Sequence, residues 1–317
     1  MKPNIVFVLG PTGIGKSEFA VKLADRIKGE IISCDSMQVY KGMRIISQQP
    51  QKRLLKSARH HLIGFLDPSE EWSAADFVGR ADRITVQILG RGKVPIVVGG
   101  TGLYARSFIN GLFPSPPKDE GYRMHLKAVA AKKGGDYLYG RLLKIDPVYA
   151  SKIHMNDARR IIRALEIYKL TGSRISDEHL KTEGIRDRYE IALFILSRPR
   201  QALYGRIDSR VEMMFKQGVA EEVSRLRGIR LSRTAGAVLG YKEIVDYLDG
   251  KFTLPQTKEI IKRNTRRYAK RQMTWFRKDA SATWFNLRDN DKYSTFINNI
   301  ADSVLKKGNK KIWKEPS

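Results

Sequence analysis

Residues 10–17 of the chain read GPTGIGKS, which fits the pattern G-x-x-x-x-G-K-S of a phosphate-binding P-loop. The residues before it, IVFVLG at 5–10, form a short apolar run typical of a buried parallel strand. The residues after it, SEFAVKLADRI at 17–27, place apolar side chains such as Phe19 and Leu23 on one helical face. A strand, a glycine-rich loop and a helix therefore follow one another, and this order predicts a P-loop rather than an ordinary glycine turn.

The predicted loop can surround a phosphate group with positive charge. Gly10, Gly13 and Gly15 allow backbone N–H groups to turn inward, and the N-terminus of the following helix adds a partial positive charge. Lys16 contributes a full charge, and the hydroxyl of Ser17 is a suitable ligand for Mg²⁺. The loop alone does not distinguish kinases, NTPases and other phosphate-using proteins.

The composition indicates a polyanionic partner. The chain has 317 residues and a formal net charge of +26, from 59 Lys plus Arg and 33 Asp plus Glu, and the fold itself has no need of such an excess. The single cysteine, Cys34, excludes an internal disulfide and a cysteine-based zinc cluster. No stretch of about 18 apolar residues occurs, and the first predicted strand begins directly after the N-terminus. We therefore expect a cytoplasmic protein that does not enter a membrane.

Strand and helix patterns alternate over the first 110 residues. Apolar segments at 30–34 (EIISC), 60–66 (HHLIGFL) and 93–98 (KVPIVV) are predicted strands, and Ser73 is the predicted N-cap of a helix. The alternation predicts an α/β fold, a parallel sheet flanked by helices, with ligands at the carboxyl ends of the strands. Asp35 directly follows the second strand, so it should face the same cleft as the P-loop.

The proline-rich segment FPSPPKDEG at 113–121 interrupts this alternation. The residues after it have a helical, polar and basic pattern until YEIALFIL at 189–196, which predicts the return of a strand. We therefore predict a core divided between residues 1–113 and 189–317, with a helical insertion domain over 114–188.

A long basic helix is predicted near the C-terminal end of the chain. The stretch KEIIKRNTRRYAKRQMTWFRK at 258–278 carries nine basic residues and one acidic residue. A solvated helix face would also show such charges. Tyr268, Trp275 and Phe276 interleave with them, and this mixture favours a surface that binds nucleic acid. A further strand is predicted at 282–286.

Asp35 is the acidic residue best placed to act beside the P-loop. In P-loop NTPases an apolar strand ends in an aspartate that holds Mg²⁺, but KVPIVV is followed by two glycines and Thr101. Asp35 can therefore serve as a metal-side carboxylate or as a general base toward an acceptor, and a turn or helix cap is the structural alternative. Gln38 has the donor and acceptor needed to pair with an adenine edge.

Several motifs, in this order, resemble the tRNA dimethylallyltransferase family: the P-loop, DSMQVYKGM, HHL, GGTGLY, LYGRIDSRV, GYKE and TRRYAKRQMTWFRKD. The resemblance extends from the P-loop to about residue 286. It implies a P-loop kinase-like core with a helical insertion that holds the anticodon stem-loop. It also implies transfer of a dimethylallyl group from dimethylallyl diphosphate to N6 of the adenosine 3′ of the anticodon in tRNA.

The resemblance also implies roles for individual residues. Asp35 is the implied base, Thr101 contacts the reacting nitrogen, Lys16 stabilises the leaving group, and Arg210, or Arg206 nearby, reaches the diphosphate. The implied diphosphate-binding residues, the last of which also holds Mg²⁺, are Gly10, Pro11, Thr12, Gly13, Ile14, Gly15, Lys16 and Ser17. The implied tRNA-binding residues are Asp35, Ser36, Met37, Gln38, Thr101, Arg123, Asp157, Ala158, Arg159, Arg160 and Ile161.

The chain departs from the family pattern in two places. The usual GMDIGTAKP is replaced by GMRIISQQP at 42–50, and the aspartate that usually follows HHLI is replaced by Gly64. These changes concern the loop after Tyr40 and leave the P-loop intact, so they bear on tRNA contacts or on the choice of partner.

Three other functions fit parts of the pattern. An adenylate isopentenyltransferase would use a free nucleotide as its acceptor, and a small-molecule kinase would transfer the γ-phosphate of ATP. A non-catalytic RNA-binding P-loop protein would need neither Asp35 nor Thr101. The net charge of +26 and the predicted insertion favour a tRNA prenyltransferase over these alternatives. We also expect the protein to be a monomer.

Overall fold

The structure is a computed structural model that describes residues 2, 4–113, 116–180, 182–288 and 293–305, without the side chains of residues 179, 180 and 305. Residues 114 and 115 of the proline-rich segment lie outside the described residues. The chain divides into two compact units. The sheet unit consists of Met1–Ile109 and Arg188–Ser317, and the helical unit consists of Asn110–Asp187.

The sheet unit contains six parallel strands in the order β3-β2-β4-β1-β5-β6. The strands are β1 Asn4–Leu9, β2 Gly29–Cys34, β3 His60–His61, β4 Val94–Gly99, β5 Glu190–Ser197 and β6 Thr283–Asn286. Gly99 pairs with both Leu9 and Cys34, so β1, β2 and β4 end at the same level. Because these strands are parallel, the loops that follow them gather at one edge of the sheet.

Nine helices of the described residues accompany the sheet. They are α1 Lys16–Ile27, α2 Lys52–Ser57, α3 Ala74–Gly90, α4 Gly102–Asn110, α10 Arg200–Lys216, α11 Val219–Arg227, α12 Tyr241–Leu248, α13 Leu254–Phe276 and α14 Tyr293–Leu305. Helix α1 buries Phe19, Leu23 and Ile27 against the sheet, on the face that the sequence predicts. Ser73 caps α3 through a capping box with Asp76, which confirms the predicted N-cap.

The predicted strand at 60–66 is wrong beyond its first two residues. Only His60 and His61 pair with β2. Leu62 and Gly64 have φ angles of 62° and 57°, in the left-handed region, so the chain turns away from the sheet. A single bridge between Tyr40 and Leu66 is the remaining strand-like contact of this segment.

The predicted basic helix is confirmed as α13, but two of its three aromatic residues, Trp275 and Phe276, pack against other parts of the sheet unit. Phe276 is buried, and the ring of Trp275 lies so close to Gly102 that a Cβ there would come within 2.2 Å of it. The guanidinium of Arg106 lies 4.5 Å from the centroid of the same ring. The interpretation of these two aromatic side chains as an RNA-binding surface is therefore wrong, because helix packing places them against the core.

The charges of α13 divide between two sides of the helix. Lys258 and Lys262 form ion pairs with Glu212 on α10, and Arg266 pairs with Asp208 on the same helix. The basic side chains that remain exposed on α13 are Arg263, Arg267, Lys270 and Arg271. One side of the helix is thus attached to α10, and the other side presents an uncompensated basic stripe.

The helical unit has a hydrophobic core of its own. Its helices are α5 Glu120–Lys133, α6 Gly135–Ile145, α7 Pro147–Ala150, α8 Ala158–Thr171 and α9 Ile175–Leu180. The core includes Leu126, Leu138, Leu142 and Leu165. Glu166 is completely buried among these helices, and Arg123 and Arg163 hold it in place.

Within the described residues, no helix combines the length and the apolar character required to cross a lipid bilayer.

Candidate active site

An open cavity of about 1210 Å³ lies in the sheet unit, beside the loops that follow β1, β2 and β4. Lys16 and Ser17 of the P-loop line it, together with Asp35 from the end of β2 and Arg210 from α10. The structure therefore brings together residues from separate parts of the sequence, as the parallel sheet predicts. Thr12, Gly13 and Gly15 also line the cavity.

The P-loop adopts a conformation that requires glycine at two positions. Gly13 and Gly15 have φ angles of 83° and 103°. A Cβ on Gly13 would lie 2.9 Å from Ile207, and one on Gly15 would lie 2.8 Å from the hydroxyl of Tyr293. Helix α1 starts directly after Gly15, so its unpaired N–H groups and its dipole point toward the cavity.

The remaining loop residues contribute through their backbone. Ile14 is fully buried, so its side chain belongs to the core while its amide remains part of the loop. Gly10 and Pro11 present their carbonyl oxygens to Lys16, whose Nζ donates to them over 2.9 and 2.8 Å. Burial lowers the pKa of Lys16 to about 7, against the opposing field of Asp35. An anion arriving in the loop would supply the charge partner that Lys16 lacks.

Asp35 occupies a turn at the cavity wall. Its Oδ1 accepts hydrogen bonds from the backbone N–H groups of Met37, at 2.8 Å, and Gln38, at 3.3 Å. Burial raises the pKa of Asp35, although these hydrogen bonds and Lys16 oppose the shift. Among the described residues, no donor is bonded to Oδ2. Asp35 therefore forms a turn, the structural alternative to a catalytic role, but this turn uses Oδ1 alone.

Thr101 lies next to this turn. Its Oγ1 accepts a hydrogen bond of 3.2 Å from the backbone N–H of Ser36, and its own N–H donates to the carbonyl oxygen of Cys34 over 3.3 Å. Gly99 makes this approach possible, because a Cβ at that position would lie 1.9 Å from the Cys34 carbonyl oxygen. Thr101 is attached to the Asp35 turn but is not itself among the residues that line the cavity.

Gln38 is partly committed inside the protein. Its Oε1 accepts from the hydroxyl of Ser33 at 3.0 Å, and its Nε2 donates to the backbone oxygen of Gln48 at 3.1 Å. A primary amide has two donor hydrogens and two acceptor lone pairs, so one of each remains for an adenine edge. Ser36 and Met37 line the cavity beside it.

Two arginines of α10 face the P-loop. Arg206 donates from Nε to the backbone oxygen of Gly13 over 3.0 Å, so it holds the loop itself. Arg210 lies one turn further along and donates from Nη1 to Gln48 and, at 3.5 Å, to the hydroxyl of Thr12. Both arginines line the cavity and remain exposed to solvent. Because Arg206 is bonded to the Gly13 backbone, Arg210 is the better placed of the two for a diphosphate.

The donor set of the cavity fits a magnesium ion that arrives with a phosphate-bearing substrate. The hydroxyl of Ser17 and the carboxylate of Asp35 line the same space. The part of the chain that the structure describes contains no group of three or more His, Cys, Asp or Glu side chains that could hold a metal. Mg²⁺ commonly binds through few protein ligands and takes the rest of its shell from waters and substrate phosphates.

The remaining predicted tRNA-binding residues belong to the helical unit. Asp157 caps α8 and pairs with Arg160, while Ala158, Arg159 and Arg160 are exposed around the first turn of the helix. Ile161 is buried in the core of the unit, and its N–H is bonded to the Asp157 oxygen. The prediction that Ile161 contacts tRNA is therefore wrong for its side chain, because the helix turns that position inward.

Arg123, also predicted to bind tRNA, has a structural partner. Its Nε and Nη2 donate to the two carboxylate oxygens of Glu166, each over 2.7 Å. Glu166 also accepts from Arg163 and from the backbone N–H of Asp119. Because a buried carboxylate needs such partners, the guanidinium of Arg123 serves the core of the helical unit.

Comparison with known proteins identifies the family. The family model described as IPP transferase matches residues 38–279, and the model described as isopentenyl transferase matches residues 3–65. The chain belongs to the IPP transferase family. It is therefore a prenyltransferase.

Curated relatives of this IPP transferase carry the name tRNA dimethylallyltransferase. The protein of Halalkalibacterium halodurans is 44% identical over 92% of this chain and 93% of its own length. That of Carboxydothermus hydrogenoformans is 46% identical over 90% of this chain and 93% of its own length.

Two solved structures are similar to this IPP transferase. One is the full-length tRNA isopentenylpyrophosphate transferase of Bacillus halodurans, with a TM-score of 0.69, 41% identity and coverage of 96% of this chain and 97% of that one. The other is a eukaryotic dimethylallyltransferase acting on tRNA, with a TM-score of 0.76, 28% identity and coverage of 96% and 78%. The P-loop fold predicted from the sequence is thereby confirmed.

Gln272 is a residue of this IPP transferase that sequence reasoning missed. It lies on α13, where its Oε1 accepts from the backbone N–H of Thr12 and its Nε2 donates to the Gly100 oxygen, both over 2.9 Å. It therefore connects the P-loop to the loop after β4. The one available signal was an uncharged polar residue within a basic helix.

The two departures from the family pattern meet in space. A Cβ on Gly64 would lie 3.4 Å from Oε1 of Gln49. Nε2 of Gln49 donates to the backbone oxygens of Gln38 and Tyr40, each over 2.9 Å. The family pattern has lysine at position 49 and aspartate at position 64, and this chain has an uncharged residue at each of them. The loop keeps its attachment through amide hydrogen bonds instead.

Proposed function

We propose that this protein transfers a dimethylallyl group from dimethylallyl diphosphate to N6 of the adenosine 3′ of the anticodon in tRNA, with release of diphosphate. The observation that carries the proposal is that a P-loop lysine and the carboxylate of Asp35 face one cavity. The ammonium of Lys16 can stabilise the negative charge of a departing anion, whereas the carboxylate of Asp35 can take a proton from the acceptor. Their opposite charges also influence each other's pKa.

The diphosphate is the group that the P-loop would bind. The backbone N–H groups of residues 10–17, the ammonium of Lys16 and the guanidinium of Arg210 can each donate to its oxygens. Lys16 would exchange the carbonyl oxygens of Gly10 and Pro11 for diphosphate oxygens. Negative charge grows on the leaving group as the C–O bond breaks, so donors fixed in advance stabilise the transition state most.

The acceptor nitrogen must give up a proton to a base during the reaction. The N6 lone pair of adenine is shared with the ring, which makes the amine a weak nucleophile. As N6 forms its bond to the allyl carbon, one N6 proton passes to Oδ2 of Asp35 and the C–O electron pair leaves with the diphosphate. Burial raises the pKa of Asp35 and thereby makes its carboxylate a stronger base. The Thr101 hydroxyl supports the turn that carries Asp35.

The hydroxyl of Ser17 would hold Mg²⁺ together with oxygens of the diphosphate. When bound, the ion neutralises charge on the leaving group.

The tRNA would bind through both units. We propose that residues 35–38, whose turn Thr101 supports, receive the flipped adenosine. Flipping costs a few kcal/mol at most, because a loop base has few partners to lose. The exposed α8 residues Asp157 to Arg160 would bind the anticodon stem-loop, with the two arginines and the helix N-terminus directed to phosphates. Arg123 would contribute to tRNA binding indirectly, because its ion pair with Glu166 stabilises the helical unit that presents these α8 residues. Because Lys16, Asp35 and Arg210 line one cavity of the sheet unit, we propose that the protein works as a monomer.

An assay of the reaction products distinguishes the proposed transfer from that of a kinase, which would share the P-loop. We expect diphosphate to be released from dimethylallyl diphosphate only when unmodified tRNA is present, with Mg²⁺ required and ATP not required. Release of diphosphate and mass analysis of the tRNA nucleosides measure the two products together. Formation of ADP in proportion to turnover, with no prenylated adenosine in the RNA, would refute the proposal. Equal transfer to free adenosine monophosphate would favour the adenylate isopentenyltransferase.

A second prediction concerns salt. Because binding to phosphates releases counterions, affinity for tRNA should fall steeply as salt rises. Removal of Arg159 and Arg160 together should flatten the log–log slope by about 0.9 for each duplex phosphate that is no longer neutralised, or about 0.7 for each single-strand phosphate. Filter binding over a salt series measures the slope. Arg83→Ala on α3, also an exposed arginine, is the control and should leave the slope unchanged. An unchanged slope in the double variant would exclude a phosphate role for the pair.

A further inference from the structure

The loop at 43–49 carries Gln48 in an unusual backbone conformation. Its φ angle is 58°, in the left-handed region, where residues other than glycine, asparagine and aspartate are uncommon. Such strain persists only where surrounding contacts impose it. One such contact holds the loop three residues earlier, where the buried carboxylate of Glu222 accepts hydrogen bonds from the N–H groups of Ile45 and Ile46. The backbone oxygen of Gln48 itself accepts from Gln38.

The side chain of Gln48 joins the P-loop to Arg210. Its Oε1 accepts from Nη1 of Arg210 and, over 3.4 Å, from the hydroxyl of Thr12. Nη1 of Arg210 also lies 3.5 Å from the oxygen of that hydroxyl, so the three polar groups form a triangle at the edge of the cavity. The loop, the P-loop and α10 therefore meet at the Gln48 amide.

The hydrogen-bonding groups around Gln48 determine which way its side-chain amide points. Nε2 lies 3.5 Å from the sulfur of Met214, a weak acceptor, while Oε1 faces the guanidinium. The opposite orientation would place an NH₂ group against a guanidinium that has donors only, and it would leave the Thr12 proton without an acceptor. The carbonyl oxygen is therefore the part of Gln48 that acts on Arg210.

Arg210 keeps its other nitrogens for a ligand. Within the described residues, all of its hydrogen bonds run from Nη1, and Nε and Nη2 have none. A guanidinium can bind a phosphate through two parallel N–H groups. Nη1 can thus stay on Gln48 while the remaining donors turn to an anion held in the P-loop.

We propose that Gln48 is a positioning residue that holds Arg210 over the P-loop before the diphosphate binds. A free arginine side chain loses considerable rotamer entropy when it is ordered by a ligand, and a side chain ordered in advance avoids much of that loss at binding. The proposal rests on the assignment of the P-loop and Arg210 to the diphosphate. It also makes the altered loop at 42–50 part of the donor site, through a residue whose backbone is bonded to Gln38 on the acceptor side.

Gln48→Met tests the proposal, because methionine keeps the length and approximate volume of glutamine and removes the carbonyl acceptor. We expect the Kd for inorganic diphosphate with Mg²⁺, measured by calorimetry, to rise roughly 5- to 30-fold, because the ligand would then have to order the arginine side chain itself. The KM for dimethylallyl diphosphate should rise with it, while tRNA affinity and Tm stay unchanged. Gln217→Met is the matched control, since Gln217 lines the same cavity without bonding to Arg210 or to the P-loop, and it should bind diphosphate normally.

A double-mutant cycle shows whether Gln48 acts through Arg210. In the Arg210→Ala background, Gln48→Met should have almost no further effect on diphosphate binding, because the group that it positions is gone. An equal loss in both backgrounds would overturn the proposal, and so would a Gln48→Met variant with the Kd of the wild type. If the wild type binds diphosphate and transfers the allyl group, either of those results rejects the role of Gln48 alone. A wild type that does not bind diphosphate rejects the assignment of the P-loop as well.

Discussion

Replacement of Asp35 by asparagine lowers the single-turnover rate of transfer by about 10²–10⁴-fold, the usual contribution of a positioned base. Asparagine keeps an oxygen that can accept from the N–H groups of Met37 and Gln38, so the turn survives while the proton acceptor is lost. tRNA affinity and thermal stability should therefore stay close to those of the wild type. Rapid-quench measurement with enzyme in excess over tRNA gives the rate of the chemical step.

The pH profile distinguishes a base from a merely structural carboxylate. Because burial raises the pKa of Asp35, kcat/KM of the wild type should begin to fall toward acid at a higher pH than an exposed aspartate would cause, as the carboxylate becomes protonated. This acid limb should be absent in Asp35→Asn. Asp67→Asn is the control, since Oδ1 of Asp67 also accepts from a backbone N–H two residues later, in an exposed turn. An Asp35→Asn rate within threefold of the wild type would refute the assignment.

Replacement of Gly99 by alanine should destabilise the sheet unit by about 3 kcal/mol, the upper part of the usual range for overpacking. Gly99 pairs with Cys34 across β2 and β4, and a Cβ there would lie 1.9 Å from the Cys34 carbonyl oxygen and 2.5 Å from its carbon. Both atoms are backbone, so no side chain can move aside. The strand ends that carry Asp35 and Thr101 would separate, and transfer should fall together with stability.

Thermal and urea unfolding measure the loss at Gly99. Gly79→Ala is the matched control, because Gly79 lies within α3 with no neighbouring atom near its added Cβ. That variant should be neutral or stabilised by about 0.5–1 kcal/mol, the usual gain of alanine over glycine in a helix. A Gly99→Ala protein as stable as Gly79→Ala would show that the two strands can separate at little cost.

Much of the sheet unit could be predicted because its signals are local. Residues 5–27 contain a strand, the P-loop and a helix in direct succession, and the loop glycines are needed for the backbone angles found at Gly13 and Gly15. The position of Asp35 followed from one general rule, since parallel strands bring their carboxyl ends to one edge. The capping boxes of α3 and α13 also lie within four consecutive residues each.

Other predictions failed because an element's neighbours decided the outcome. The apolar segment at 60–66 has strand-like composition, but left-handed turns at Leu62 and Gly64 end the pairing. Trp275 and Phe276 fit RNA binding by composition, yet ion pairs with α10 and the packing of Trp275 against Gly102 determine which face of α13 is buried.

The sequence by itself determined the parallel α/β architecture, the phosphate loop and the presence of a carboxylate beside it, because each depends on residues close together in the chain or on the periodicity of one element. Only the tertiary structure decided which side chains complete the site. Gln272 is 260 positions from Thr12, and Gln48 is 162 positions from Arg210. A hydrogen bond between such residues leaves no local pattern, since its geometry exists only after the sheet has brought the loops together and α10 and α13 have packed beside them.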